Sequence, residues 1–284
     1  MVPIILMKLL VVTTRKDRSR NRLTEEARGK GIEVSQLYYE NLGTKNLKSE
    51  YFRDYDFCIL RDPYNIGKDF SETMKRIMSF FKESQILDCR VYQKHPRYED
   101  KLFQHILFKD TMKMPRFWHY TNTEEIDTPL PVIVKRRISS RGRDVFMIKT
   151  ENEINRFFKE NDIGDYLFEE LMKIKRDIRV LVIGNEVIGA VDRKFRVKNN
   201  KGYDGIGVKV RNEYRLSEDM KKMVIEIARK MESDFCGIDF IIDENDQIYL
   251  LECNISPQFV AFENALEVNV AERVIDAIVS QKKD

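Results

Sequence analysis

Apolar positions along the chain fall into three stretches of different rhythm. Between residues 7 and 95, short apolar runs at 9–13, 32–38 and 57–60 predict buried strands. A helix at 23–30, closed by Gly31, separates the first two runs. Ser71 is the expected cap of a later helix, on which Met74, Ile77, Met78 and Phe81 keep three-and-four spacing. Strand alternating with helix implies a parallel sheet, and ligands of such sheets lie beyond the carboxyl ends of the strands. Arg61, just past the third run, is therefore a candidate for gripping an anionic substrate, with an ordinary surface arginine as the alternative.

The second stretch, 96–165, mixes the two rhythms. A helix over 98–109 is expected to bury Leu102, Phe103, Ile106 and Leu107, and it stops before Met114-Pro115. Strands follow at 131–135 and 145–148, and Thr150 with Glu153 makes a capping box ahead of Ile154, Phe157 and Phe158. From 166 onward strands dominate, at 166–171, 177–183 and 187–195, with Gly184-Asn185 as a tight turn between the last two. A polar loop is expected at 198–207. Ser217 caps a helix with Met220, Met223, Val224, Ile227, Ala228 and Met231 on its buried face, and Asn269 caps a closing helix through Val270, Val274, Ile275 and Ile278. These shifts place domain boundaries at 1–95, 96–165 and 166–284, with no internal repeat or low-complexity tract.

Two β-rich runs within 236–254 flank Glu244-Asn245-Asp246-Gln247, a polar segment of the kind that closes a hairpin. With that turn Asp243 faces Ile248, and counting back sets Asp239 opposite Glu252. Alternation then points Glu252 and Asn254 to one face and Leu251 and Cys253 to the other. Facing carboxylates repel unless something positive lies between them. An Asp, a Glu and an Asn offering oxygens from one face suit Mg²⁺, a hard cation that takes one or two carboxylates plus substrate phosphates. The alternative, a half-exposed hairpin with solvated acids, accounts badly for acids set inside apolar runs.

Composition narrows the picture. The 284 residues, 42% hydrophobic and 34% charged, are enough for a sizeable core and two or three lobes. With 50 basic and 47 acidic residues the net charge is only +3, which gives no general argument for a nucleic-acid partner, including at the basic stretch 193–211. Cys58, Cys89, Cys236 and Cys253 are scattered without CxxC spacing, so buried free thiols in a reducing compartment are expected. His95, His105 and His119 stand alone and suggest no zinc site. The apolar opening is interrupted by Lys8, and no run reaches the roughly twenty apolar residues of a membrane span. A cytoplasmic protein is the expectation.

Further candidates line up along the chain. Lys135 ends a strand and leads into Ser139-Ser140-Arg141-Gly142, a small polar loop whose amides, with the lysine, suit phosphate. Glu169, Glu170 and Leu171 end a strand able to meet an adenine edge, Asp177 is placed to accept a ribose hydroxyl, and Arg179 points the same way with Ile178 buried between. Arg193 and Lys194 on the next strand are candidates for the transferred phosphate. Taken one at a time, each reads more readily as a solvated charge.

Together they resemble the ATP-grasp superfamily, and within it the RimK-like carboxylate–amine ligases. The resemblance rests on Glu99-Asp-Lys-Leu102, the Val134-Lys135 strand with its Ser-Arg-Gly loop, Phe168-Glu-Glu-Leu171, Arg176-Asp-Ile-Arg179, Gly237-Ile-Asp239 and Leu251-Glu-Cys-Asn-Ile-Ser-Pro257, and spans about residues 96–280. It implies an α/β protein with an ATP-grasp fold, two α+β lobes clasping ATP, preceded by a small Rossmann-like domain. It further implies Lys101 and Lys135 at ATP phosphates, Ser140 and Gly142 in the phosphate loop, Glu169 to Leu171 at adenine and Asp177 at ribose. Asp239, Glu252 and Asn254 would bind two Mg²⁺, with Mn²⁺ as an alternative. The segments 259–262 and 269–271 are similar to the carrier-protein glutamate ligases of lysine biosynthesis. The phosphate loop has arginines where relatives are richer in glycine, and 198–204 lacks their Arg-Ser-Asn triplet, so substrate choice is expected to differ.

The implied reaction joins a small-molecule or carrier-protein carboxylate to an amino-acid amine through an acyl phosphate, with Arg179 or Arg193 supporting the transferring group. Specificity is expected in Arg61 and in 193–207 and 259–264. Rivals are an ATP-grasp kinase and a non-catalytic ATP sensor, neither with a nucleic-acid or membrane partner. A symmetric homo-oligomer is the default assembly.

Overall fold

Three parallel strands open the chain, β1 (Lys8–Thr13), β2 (Glu33–Tyr38) and β3 (Phe57–Leu60), in the order β2-β1-β3. They are seen in a computed structural model that describes residues 7–42, 49–62, 70–122, 127–139, 144–200 and 203–281. The central β1 is buried from Leu9 to Thr13, as a parallel strand covered on both faces should be. Helices α1 (Ser19–Gly29), α2 (Ser49–Phe52), α3 (Phe70–Met78) and α4 (Cys89–Lys94) complete this unit. Gly31, at φ 75°, takes the left-handed backbone that turns the chain from α1 into β2. Ser71 lies inside α3 rather than at its cap, because Phe70 already belongs to the helix.

The chain continues through α5 (Lys101–Phe108), β4 (Phe117–Trp118), β5 (Val132–Arg136), β6 (Val145–Ile148), α6 (Glu151–Glu160) and β7 (Tyr166–Glu170). Then come β8 (Ile174–Ile183), β9 (Glu186–Asn200), β10 (Tyr203–Glu213), α7 (Glu218–Met231), β11 (Phe235–Asp243), β12 (Ile248–Asn254), α8 (Val260–Leu266) and α9 (Val270–Ser280). One antiparallel sheet, β12-β11-β8-β9-β10-β6-β5-β7-β4, runs through all of its strands. It is two sheets in effect. Among the described residues they join only where Asp204 and Gly205 of β10 pair with Met147 and Phe146 of β6.

Each half has its own core. In the first, Val132, Val134, Phe146 and Phe168 pack against Ile154 and Phe157 of α6, whose start carries the Thr150–Glu153 capping box. In the second, α7 covers one face through Val224, Ile227 and Met231 against Ile178, Val180, Ile238 and Phe240. The other face, through Leu181 and Phe235, meets α9 and the first unit's Leu9, Val11 and Leu23. Covering both faces leaves every residue of β11 buried. The polar stretch 198–207 is not a loop: β9 and β10 continue through it as a ribbon, pairing Tyr203 with Asn200 and Gly207 with Arg196. Backbone pairing needs no apolar periodicity, and this Lys-, Asn- and Gly-rich run shows none, which is why the pattern conceals the ribbon. Among the described residues no helix is long and apolar enough to cross a membrane. All four cysteines are buried and free.

Candidate active site

β8, β11 and β12 carry the charged centre of the molecule. Asp239 pairs with Glu252 across β11 and β12, and with Arg179 across β11 and β8, so acid, acid and arginine form one row over three strands. Two residues along β8, Asp177 pairs with Arg193 of β9. Arg179 grips Asp239 with both arms of its fork, Nε to Oδ1 at 2.7 Å and Nη2 to Oδ2 at 2.6 Å. Arg193 reaches diagonally to Asp239 Oδ2 at 3.0 Å and holds Asp177 Oδ1 with its other nitrogens.

These contacts set the charges. Burial works against the Asp239 carboxylate, but the two guanidiniums outweigh it and hold its pKa below the ordinary value. Arg179 is pushed upward for the reciprocal reason, Asp239 and Glu252 prevailing over burial. Asp177 is raised to about 6, by burial first and by the neighbouring Asp239, with Arg193 opposing. Asp177 is 1% exposed; its Oδ1 holds Arg193, while its Oδ2 is buried without a hydrogen-bond partner, an acceptor uncommitted but shielded in this arrangement. Lys194 is exposed, unlike the buried Arg193 beside it.

α5 supplies the other wall, and with an unexpected face. Asp100 caps it through the Leu102 N–H, and its buried positions are Lys101, Gln104, His105 and Phe108, whereas Ile106 is 58% exposed. The face holding Leu102, Phe103, Ile106 and Leu107 therefore is not the buried one. Polar side chains occupy the inner face because each has a partner there. Lys101 Nζ donates to Ser139 O at 3.4 Å and lies 4.0 Å from Glu252. Gln104 bonds the backbone of Cys253. His105 Nε2 lies 3.2 Å from Glu169 Oε1, and Lys135 is hydrogen-bonded to Glu169 Oε2.

Glu169 is thus turned inward, 3% exposed, rather than toward an adenine edge. Burial pushes its pKa up, but Lys135 and His105 more than reverse this and bring it to about 2. Glu170 accepts the Arg116 N–H at 2.8 Å, and Leu171 is 40% exposed at the start of the link to β8. Ser140 and Gly142 lie outside the described residues.

Sequence reasoning gave no site role to Gln104, to His105, or to Glu99 within its motif. The first two were legible in principle, since 101, 104, 105 and 108 are themselves at helical spacing. Glu99 is 8% exposed, its Oε1 has no hydrogen-bond partner, and burial together with the nearby Glu252 raises it to about 8. Arg61 is not the ordinary surface arginine of the alternative reading. It is 2% exposed, paired with Asp17 at 2.7 Å, and donates to Pro257 O at 2.9 Å just beyond β12.

Asp239, Glu252 and Asn254 form an all-oxygen donor set of two acids and an amide, and among the described residues no cluster of three or more His, Cys, Asp or Glu competes with it. An ionised carboxylate offers roughly four acceptor sites. Asp239 uses three of them on the arginines, Oδ1 once and Oδ2 twice, and so keeps capacity for a cation. Glu252 Oε1 accepts from Asn254 Nδ2 at 2.7 Å, which holds the two side chains together. Such a set fits a hard divalent ion that draws its remaining ligands from phosphate and water.

Comparison with known proteins identifies the family and the fold. The profile of the RimK-like ATP-grasp domain matches residues 102–278. N-acetylaspartylglutamate synthase A of Homo sapiens is 31% identical over 157 residues, 53% of this chain and 39% of that protein. Coenzyme gamma-F420-2:alpha-L-glutamate ligase of Methanocaldococcus jannaschii is 27% identical over 165 residues, 56% of each. The alignments thus span between about two fifths and about half of these relatives' length. The ATP-grasp ligase PsnB, solved with a minimal precursor, superposes with a TM-score of 0.70 at 18% identity, over 97% of this chain and 99% of its own. The chain belongs to the RimK-like ATP-grasp family and has the ATP-grasp fold.

Proposed function

We propose that this RimK-like protein is an ATP-dependent carboxylate–amine ligase, ADP-forming, whose three units are 1–95, 96–165 and 166–284. The observation that carries the reading is the row Glu252–Asp239–Arg179, with Arg193 braced behind it and Lys101 beside it. The substrates are a small-molecule or carrier-protein carboxylate and an amino-acid amine. The named relatives, two of which make or extend glutamate conjugates, support that class. Its working place is the cytoplasm.

In the first step a substrate carboxylate oxygen forms a bond to the γ-phosphorus of ATP while the bond to ADP breaks. The amine then attacks the acyl carbon, the bond to phosphate breaks, and the amine's proton leaves. Two anions must approach each other, so most of the catalytic work is charge neutralisation and positioning. Asp239, Glu252 and Asn254 would hold Mg²⁺, as two ions or with Mn²⁺ in its place, and the ion would supply neutralising positive charge to the phosphates. Arg179 and Arg193, fixed by Asp239 and Asp177, stabilise charge on the transferring group. Lys101 and Lys135 meet the phosphates, Lys135 leaving Glu169 to do so, and the backbone through 169–171 meets adenine.

The test is release of ADP and phosphate from ATP and Mg²⁺ across pooled carboxylates and amines, with Glu252→Ala as control. Turnover that needs both an acid and an amine, and is lost in the variant, is the expected result. Turnover with the acid or an alcohol alone identifies a kinase. ATP binding without turnover in any pool identifies a sensor.

A further inference from the structure

Gln104 spends all of its polar capacity on two backbone segments. Its Nε2 donates to Tyr98 O at 2.7 Å and to Cys253 O at 3.0 Å, and its Oε1 accepts from Cys253 N at 2.8 Å. The side chain is 3% exposed. An amide has two donors and one acceptor group, and here each is engaged.

The peptide it grips lies on β12, the outermost strand of the sheet. On the inner side β11 supplies antiparallel pairing, in register from Asp239–Glu252 to Gly237–Asn254. On the outer side no strand pairs with it among the described residues, and the edge is satisfied piecemeal. The Leu250 N–H donates to Lys113 O at 2.8 Å, and Gln104 takes both polar groups of Cys253 as an adjacent strand would. Cys253 sits between Glu252 and Asn254, so fixing its peptide fixes the plane and pleat from which both side chains project. The Cys253 side chain is fully buried in the core and cannot drift to compensate. Lys101, one turn earlier on α5, lies 4.0 Å from Glu252, so one helix addresses the strand twice.

We propose that Gln104 is a positioning residue of the metal strand: its amide holds the Cys253 peptide, and through it aims Glu252 and Asn254 at a shared divalent cation. This rests on the reading of those residues as metal ligands. It adds a side chain that touches neither metal nor nucleotide yet sets the affinity for the ion, as partners behind metal ligands commonly do.

The test uses the full chain and Mn²⁺ as probe, titrated by electron paramagnetic resonance in the presence of a non-hydrolysable ATP analogue. Gln104→Met, close in shape and without the polar groups, is expected to weaken Mn²⁺ binding about tenfold. Affinity for the analogue in excess chelator should stay at the wild-type value. Gln104→Glu keeps the acceptor for the Cys253 N–H and loses the donors, so an intermediate loss is expected; it decides the matter if the methionine variant does not fold. Phe108→Leu, on the same buried face of α5 but with no bond to β12, controls for loosening of the helix and should bind Mn²⁺ like wild type. Wild-type affinity in both Gln104 variants overturns the proposal, as does an equal loss in Phe108→Leu. If the wild-type chain itself shows no analogue-dependent Mn²⁺ site, the assignment of the metal ligands fails, and the role of Gln104 with it.

Discussion

Asp239 stands opposite Glu252 because two irregularities cancel. The turn between their strands is one residue longer than the sequence pattern predicts, so Ile242 rather than Asp243 faces Ile248. Asp243 builds this turn itself, its Oδ1 accepting from Asn245 N and Gln247 N at 2.9 Å each, with Asp246 at φ 61°. A bulge between the Asp239–Glu252 and Phe240–Leu250 pairs then takes up the extra residue and restores the facing acids.

The two acids should therefore fail differently when neutralised. Asp239 is 3% exposed and is the common partner of Arg179 and Arg193. Asp239→Asn leaves two arginines undercompensated, and a loss of about 3–5 kcal/mol in urea unfolding is expected. The Glu252 side chain is 30% exposed, so Glu252→Gln should cost no more than about 1 kcal/mol. Both should lower ADP release by about 10²-fold or more. Equal stability losses would show that the buried arginine cage is not anchored on Asp239.

Glu169 gives a prediction in acid. Its pKa falls from 4.5 to about 2 on folding. The folded state thus binds its proton less tightly than the unfolded one, so the stabilisation is present above pH 4.5 and is lost as pH falls toward 2. At 1.36 kcal/mol per unit this amounts to about 3 kcal/mol. Glu169→Gln should show most of that deficit at pH 7 and progressively less toward pH 3 in urea midpoints. A deficit independent of pH would mean that packing, not the Lys135 and His105 contacts, is what the variant loses.

How much of this was legible depends on what each residue answers to. The caps at Ser217, Asn269 and Thr150 are local hydrogen bonds, and each forms as the sequence predicts. Strands buried on both faces, such as β1 and β11, announce themselves as apolar runs. The failures cluster where tertiary partners override pattern. α5 turns Gln104 and His105 inward because a strand edge and a carboxylate wait for them, and no spacing rule sees those. The ribbon β9–β10 escaped because its pairing is between backbone groups, while its Lys-, Asn- and Gly-rich sequence carries no strand alternation. Asp177 and Arg193 could be placed on neighbouring strands, but that they would neutralise each other depends on a cross-strand register that the turn length alone did not fix.

Asp88 predicts a slope of the opposite sign. At φ 61° it accepts from Ser233 Oγ at 2.8 Å, Asp234 N at 2.6 Å and Phe235 N at 3.1 Å, while its own N–H donates to Asp234 Oδ2 at 2.8 Å. Burial and the adjacent Asp234 outweigh those donors and raise its pKa to about 8. A folded pKa above the unfolded one means stability present below about pH 4 and lost as pH rises toward 8. Asp88→Asn tolerates the same backbone and removes the charge. Across that window wild type should lose up to about 1.4 kcal/mol per pH unit relative to the variant. Parallel midpoint curves would refute the assignment.

Cys253 tests which way β12 faces. Its thiol is fully buried in the core, against Cys236, while Glu252 and Asn254 remain partly exposed. Cys253→Ala should keep ligase activity and lose about 1 kcal/mol of stability. A folded but inactive protein would place the thiol in the chemistry instead.

Arg61 separates a structural arginine from a substrate-gripping one. It joins the first unit to the segment after β12, through Asp17 on one side and Pro257 O on the other. Burial raises the Asp17 pKa, but Arg61 and further donors overcome this and bring it to about 2, so both partners are charged. Arg61→Met leaves that carboxylate buried without its counter-ion, and a loss of about 3–5 kcal/mol is expected. Replacing both, as Arg61→Met with Asp17→Leu, removes the stranded charge and should recover much of the loss, because two buried ions are exchanged for apolar volume. The KM for the acid substrate should be unchanged in the recovered double variant. A raised KM with stability intact would instead assign Arg61 to the substrate.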